Sequence, residues 1–176
     1  MGECELRIHS LWSYGRAGPA RILQQRLKYG GDFALAHLLG QLLAKRLLDL
    51  DFVSGKLACL VPIPIHPVRF LERGYNQAEE ISKGMSAVLR CPLYPNVLDR
   101  PVLAGSQVGS SAAERRQNLS GAFVLTDPKW IRGRHVILVD DVCTTGATLC
   151  EAQQALEGGL PADVLCATVF RSNPER

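Results

Sequence analysis

Val136-Ile137-Leu138-Val139-Asp140-Asp141-Val142-Cys143-Thr144-Thr145-Gly146-Ala147-Thr148 decides the fold class of this chain. Four apolar residues of strand type end in two adjacent carboxylates. A turn of small hydroxyl residues and one glycine follows, and an apolar helical spacing then runs through Leu149, Ala152 and Leu156. Strand, acidic edge, Thr/Gly turn and helix start make a cradle for a phosphorylated sugar. Backbone N–H groups of the turn and of the helix N-terminus can hold phosphate. The hydroxyls of Thr144, Thr145 and Thr148 add hydrogen bonds, and Gly146 with Ala147 keeps the backbone accessible. Asp140 and Asp141 suit ribose hydroxyls, or a Mg²⁺ that offsets their charge.

Competing readings account for less of the pattern. Helix capping employs one carboxylate and leaves the second unexplained. Phosphoaspartate hydrolases need Asp-x-Asp, and Val142 stands in the second acidic place. A receiver domain carries its acidic pair after the first strand, with the phosphoacceptor much further on, and here too little chain follows. A Walker loop is excluded because no Gly-Lys-Thr or Gly-Lys-Ser follows a glycine-rich run.

Outward from this stretch, strands and helices alternate. Pro19 opens a helix that ends at Lys28-Tyr29-Gly30-Gly31. Asp32 caps a second helix with a broad leucine stripe from Leu35 to Leu48, wide enough for core packing. Leu57–Val61 reads as a buried strand stopped by Pro62-Ile63-Pro64-Ile65-His66-Pro67, where a strained or cis peptide would fit. A helix is expected from about Ala78 to Arg90, and short strands near Val97-Leu98 and Ala122–Leu125. Gly158-Gly159 stops the helix after the signature, and a strand follows over Asp163–Phe170. The order predicts an α/β fold with a parallel sheet and ligands at the carboxyl ends of its strands. Residues 1–13 read as a tail and 14–176 as one domain.

At 176 residues, one domain can enclose a sizeable core, and the net charge of +3 permits phosphorylated ligands or nucleic acid without requiring either. The apolar stretch Leu35–Leu50 is broken by His37, Gln41, Lys45, Arg46 and Asp49, so no transmembrane segment is expected. Glu3, Glu5 and Arg7 stand where a secretory signal would be apolar, which points to a cytoplasmic protein. Six scattered cysteines without a Cys-x-x-Cys pair read as free thiols. Cys143 fits either a reactive thiol at a helix N-terminus or a filler of the turn.

Two further segments carry candidate chemistry. Ile63-Pro64 forms a rigid loop that could face a diphosphate, and Arg73, Asn76 and Gln77 place a cation and two amides at a helix start. Residues 101–120 read as a long loop whose Gln107, Arg115 and Asn118 could close over an anion or contact a nucleic-acid backbone. Lys28 at a helix end suits the helix dipole. Of four histidines without ligand spacing, His66 alone lies near this chemistry.

Together, Leu27–Asp32, Val61–Pro64, Glu72–Glu79, Gln107, Arg115-x-x-Asn118-Leu119, Ala122-Phe123 and Val136–Leu149 resemble the ComF family, whose members carry a type I phosphoribosyltransferase domain. The resemblance implies a type I phosphoribosyltransferase-like sheet flanked by helices, with a small N-terminal helical hood. Asp140 and Asp141 would meet the ribose hydroxyls of phosphoribosyl diphosphate, residues 144–148 its 5′-phosphate, and Ile63-Pro64 the diphosphate, with Mg²⁺ bridging. Natural competence or DNA utilisation is the implied role, with single-stranded DNA and a competence helicase as partners at the inner face of the membrane. The alternative is a catalytically active Mg²⁺-dependent phosphoribosyltransferase with an unidentified acceptor. Two departures stand out. Only Cys4 remains where many members carry a Cys-x-x-Cys zinc module, so no zinc is expected. Val102 and Ala104 replace a basic residue and a Thr of the loop.

Overall fold

The computed structural model describes residues 5–14, 19–50, 52–53, 57–101 and 121–172. Its central sheet has four strands: β1 (Ile8–Tyr14), β2 (Ala58–Pro62), β5 (His135–Cys143) and β6 (Asp163–Ser172), in the order β1-β6-β5-β2, all parallel. The short strands β3 (Leu98–Asp99) and β4 (Val124–Leu125) pair antiparallel as a separate ribbon. Helices α1 (Pro19–Tyr29), α2 (Phe33–Leu47), α3 (Pro67–Arg73), α4 (Gln77–Leu89) and α5 (Ala147–Glu157) complete the chain.

The two-residue period of the strands divides the core into two layers. Leu60, Ile137, Val139, Leu165 and Ala167 face Leu27 of α1, Leu39, Leu43 and Leu47 of α2, and Ile81 and Met85 of α4. Their neighbours Cys59, Val61, Val136, Leu138 and Cys166 face Leu149, Ala152 and Leu156 of α5. Both faces of the sheet are covered, so its strands are near-continuous apolar runs. The leucine stripe of α2 divides accordingly: Leu39, Leu43 and Leu47 are in the core, while Leu38, Leu42 and Leu48 are exposed.

Helices α2 and α4 cross at two glycines. A Cβ on Gly40 would lie 2.1 Å from the Ile81 carbonyl oxygen, and one on Gly84 2.2 Å from that of His37. Only residues without a side chain permit this approach. Helix starts follow the expected capping: Asp32 accepts a hydrogen bond from Leu35 N–H at 2.9 Å, and Asn76 one from Ala78 N–H at 3.1 Å.

One expectation is corrected, and one element is added. Ile8–Tyr14 is not part of a tail but an edge strand, registered residue for residue against β6 from Ile8↔Cys166 to Tyr14↔Ser172. Its His9, Ser10 and Ser13 obscure the apolar pattern, as an edge position tolerates. Residues 67–73, which the sequence left without an element, form a helix: Pro67 stands at its first turn, His66 Nδ1 accepts from Val68 N–H at 3.3 Å, and Gly74 closes it at φ +78°.

Candidate active-site cleft

Strand β5 outruns its neighbour. The β2 ladder ends with Pro62 opposite Val139, and Ile63 N–H still donates to Val139 O at 2.8 Å. Asp140 and Asp141 therefore lie one step past the end of β2, while β6 continues beside them with Thr168 opposite Asp140. The cleft that opens there, about 180 Å³, is lined by Ile63–His66, Arg69, Arg73, Asn76–Ala78, Arg100, Asp140, Asp141 and Thr148.

The floor is acidic and tightly held. Asp140 accepts a hydrogen bond from Asp141 N–H at 2.8 Å. Burial, followed by the Asp141 charge, pushes the Asp140 carboxyl well above the ordinary carboxylate range, and Lys28 pulls it the other way. One Asp141 carboxylate oxygen, Oδ2, is buried with no hydrogen-bond partner, and Lys28 Nζ stands 3.9 Å from it. That free acceptor beside a second carboxylate is what a sugar hydroxyl or a divalent cation requires.

The opposite wall is cationic. Arg73 Nη1 donates to Gln77 Oε1 at 3.0 Å, its guanidinium lies 5.7 Å from the Tyr29 ring centre, and its Nε is buried without a partner. Asn76 Nδ2 donates to Ile63 O at 3.0 Å, tying the proline loop to the start of α4. The Tyr75 hydroxyl donates to Leu27 O, which anchors the last turn of α1, and thus Lys28 and Tyr29, over the cleft. The peptide bonds of Pro62–Pro67 are all trans.

At the third side, Gly146 adopts φ +81° and its carbonyl accepts the first bond of α5, from Cys150 N–H at 2.9 Å. Thr145 Oγ1 accepts from Ala147 N–H at 3.3 Å. Thr144, Thr145 and Ala147 are exposed, and Thr148 reaches the cleft wall. The first-turn N–H groups of α5 have no intrahelical acceptor, so an anion can settle there. Cys143 is buried, which pushes its thiol up in pKa and leaves it a filler of the turn.

Lys28, Ile63, Pro64, Arg73, Asn76, Gln77, Asp140, Asp141 and Thr148 thus converge. Gln107, Arg115 and Asn118 lie outside the described residues. Glu72, next to Arg73 in sequence, pairs with Arg69 at 3.0 Å, and Arg73 turns to Gln77 in the cleft. Arg69 and Arg100 were not singled out from sequence. The i,i+4 spacing of Arg69 and Arg73 signals a shared helix face once α3 is recognised. Arg100 packs over the Phe123 ring at 5.1 Å, and burial lowers its pKa against the opposing pull of Asp140. Among the described residues no group of three or more His, Cys, Asp or Glu side chains is placed to hold a metal, and no helix is long and apolar enough to cross a membrane.

A parallel sheet covered by helices, with paired carboxylates beside a Thr/Gly helix start, defines a phosphoribosyltransferase-type domain. Residues 72–176 match the phosphoribosyl transferase domain family. Competence protein F of Haemophilus influenzae is 39% identical over 145 residues, covering 78% of this chain and 62% of that protein. The DNA utilization protein YhgH of Escherichia coli O157:H7 is 32% identical over 154 residues, 85% of this chain and 67% of that one. The chain belongs to the ComF family of phosphoribosyltransferase-domain proteins. It spans about two thirds of the length of these relatives. Glutamine phosphoribosylpyrophosphate amidotransferase from B. subtilis shares the fold, with a TM-score of 0.54 and 15% identity over 82% of this chain and 30% of that one.

Proposed function

We propose that the cleft binds phosphoribosyl diphosphate, or a related sugar phosphate, together with Mg²⁺. The buried Asp141 Oδ2, beside Asp140 and without a hydrogen-bond partner, carries this reading. Ribose hydroxyls would donate to the two carboxylates. The 5′-phosphate would take the turn at Thr144–Thr148, and the diphosphate would lie toward Ile63-Pro64 and the arginines. Mg²⁺ would be held beside Asp140 and Asp141, where one carboxylate oxygen lacks a hydrogen-bond partner, and it would supply charge neutralisation for the diphosphate oxygens. The names of the relatives support a role in natural competence or DNA utilisation, and the proposal sets that role in the cytoplasm at the inner face of the membrane. There the protein would handle imported single-stranded DNA together with a helicase.

Turnover as a phosphoribosyltransferase is the second reading, favoured by Arg69, Arg73 and Arg100 around one cleft. Fixed cations there would stabilise a departing diphosphate more than the bound substrate, which is the condition for rate acceleration. Calorimetric titration with phosphoribosyl diphosphate and Mg²⁺ tests binding. The native protein is expected to give a saturable isotherm that the Asp140→Asn/Asp141→Asn double variant lacks. No heat from the native protein would sink the assignment. Diphosphate release across a panel of nucleobases then tests turnover.

A further inference from the structure

Lys129-Trp130-Ile131-Arg132-Gly133-Arg134 carries three cations and no acid immediately before β5. Its indole is displayed to solvent: Trp130 is 42% exposed, at the end of a single 3-10 turn over Pro128–Trp130. It stacks on Tyr94, with ring centres 5.0 Å apart and planes 29° from parallel. A cation lies over each ring, Lys129 Nζ 5.1 Å from the Trp130 centre and the Arg134 guanidinium 5.8 Å from that of Tyr94. Beside the pair opens a hollow of about 280 Å³, walled by Tyr94–Val97, Asp127 and Trp130. No residue lines both this hollow and the cleft.

The walls are held in place by hydrogen bonds. Tyr94 N–H donates to Leu60 O at 2.9 Å, which seats it on the edge of β2. Trp130 Nε1 donates to Asp127 Oδ2 at 2.7 Å, which sets the angle of the indole. Lys129 Nζ lies 3.2 Å from the same oxygen, so the Asp127 charge is offset within the site and does not repel an anion. The Thr126 hydroxyl donates to Asn96 O, and its N–H donates to Val97 O at 2.9 Å. The Asn96 side-chain amide makes no hydrogen bond among the described residues, and it offers a donor and an acceptor at the rim. Arg90, Arg132 and Arg134 form no ion pair among the described residues, and Arg90 joins Arg134 in lining a second hollow.

A planar ring against an aromatic wall, joined to anions that meet spaced cations, describes a nucleotide unit. A free nucleotide calls for donors converging on one phosphate. Here the cations are spread, over Trp130, over Tyr94 and beyond toward Arg90, as the successive phosphates of a strand require. A duplex keeps its base faces stacked and has none to offer the wall. The free Asn96 amide can meet a donor or an acceptor on a base edge, which suits sequence-tolerant binding. We infer that Tyr94 and Trp130 wall a base-stacking site for single-stranded DNA, with Lys129, Arg132 and Arg134 meeting its phosphates, on a surface separate from the cleft. The choice of DNA rests on the single-strand role proposed above. Nothing in it rests on the sugar-phosphate reading of the cleft.

Trp12→Phe leaves Trp130 as the sole indole, so its fluorescence reports the site directly. A short oligothymidylate should quench it saturably. By anisotropy of the labelled strand, Trp130→Ala should bind about tenfold or more weakly, the scale of one lost stacked base, and Trp130→Phe, which keeps a ring, should restore most of the affinity. Arg132→Gln should lower the slope of log affinity against log salt by about 0.7, the loss of one phosphate contact. Thermal melting checks that each variant folds; should Trp130→Ala not fold, the quench and Arg132→Gln decide. A bound strand that leaves Trp130 unquenched, or undiminished affinity in Trp130→Ala, overturns the site while the single-strand role stands. Equal affinity for a duplex also overturns it, placing binding on charge alone, as does equal affinity for thymidine monophosphate, which would make it a free-nucleotide site. If the native protein binds no oligothymidylate, the site and the single-strand role fail together, and titration with phosphoribosyl diphosphate still judges the cleft separately.

Discussion

Lys28 Nζ lies 3.9 Å from Asp141 Oδ2, joining the last turn of α1 to the end of β5 across the mouth of the cleft. The ammonium sits where a ligand-borne cation would compete with it, and it also lowers the pKa of Asp140. Removing it lets the Asp140 carboxyl rise further. Ligand and Mg²⁺ need the ionised carboxylates, so Lys28→Met should move the rise of phosphoribosyl diphosphate affinity with pH to higher pH. Titrations between pH 5 and 9 check this, and a superimposable pH profile would remove Lys28 from the electrostatics of the site.

Asp140 should cost the free protein stability. Its folded pKa is raised, chiefly by burial, so between the unfolded value near 3.8 and the folded one the native state holds a proton that the unfolded chain has released. Native stability then falls as pH rises through that window, because the unfolded state binds fewer protons there. Asp140→Asn keeps an acceptor for Asp141 N–H without the charge. Its melting temperature should exceed that of the native protein at pH 8, with the difference vanishing toward pH 4. Saturating ligand should reverse the order at pH 8.

How much of this was legible in the chain depends on whether the cause was local. Strands β2, β5 and β6 are apolar runs bounded by Pro or Gly, and Asp32 and Asn76 announce helix starts with their own side chains. The paired carboxylates at a strand end gave away the acidic floor. Strand β1 did not show, because its stability comes from the ladder with β6, at the other end of the chain, rather than from its own pattern. Lys28 reached the site only because Tyr75 ties Leu27 down and packs edge-on against Phe33, at 4.9 Å between ring centres. Arg100 is placed by its contact with Phe123, which no spacing rule reveals.

The buried thiols Cys59 and Cys143 and the half-buried Cys91 should be unreactive. Burial raises Cys59 to about 12 and Cys91 to about 11, and raises Cys143 as well. Only the thiolate attacks alkylating agents. At pH 8 in native buffer, iodoacetamide should leave these three unmodified by peptide mass mapping, while unfolding in guanidinium makes them react at the ordinary rate. Fast native alkylation of Cys143 would restore the reactive-thiol reading of the turn.

The α2–α4 crossing is where the fold is least tolerant. Gly40 and Gly84 bring each helix against the other's backbone, and the clashing atoms for an added methyl are carbonyl oxygens, which cannot swing aside as a side-chain end can. Neither glycine is needed for its own φ, since both sit inside regular helix and only Gly31, Gly74, Gly121, Gly133 and Gly146 have positive φ among the described glycines. Alanine would raise helix propensity by roughly 1 kcal/mol, so an isolated helix would gain from the change. In the protein the helices must separate, exposing part of the layer around Leu39, Leu43, Ile81 and Met85. Overpacking of this kind costs about 1–3 kcal/mol, and a backbone clash belongs at the upper end, so the net effect is destabilising. Gly40→Ala and Gly84→Ala should each lower the midpoint of urea unfolding. The double variant should lose less than the sum, because one separation relieves both contacts. Unchanged midpoints would mean that the two helices do not cross this closely.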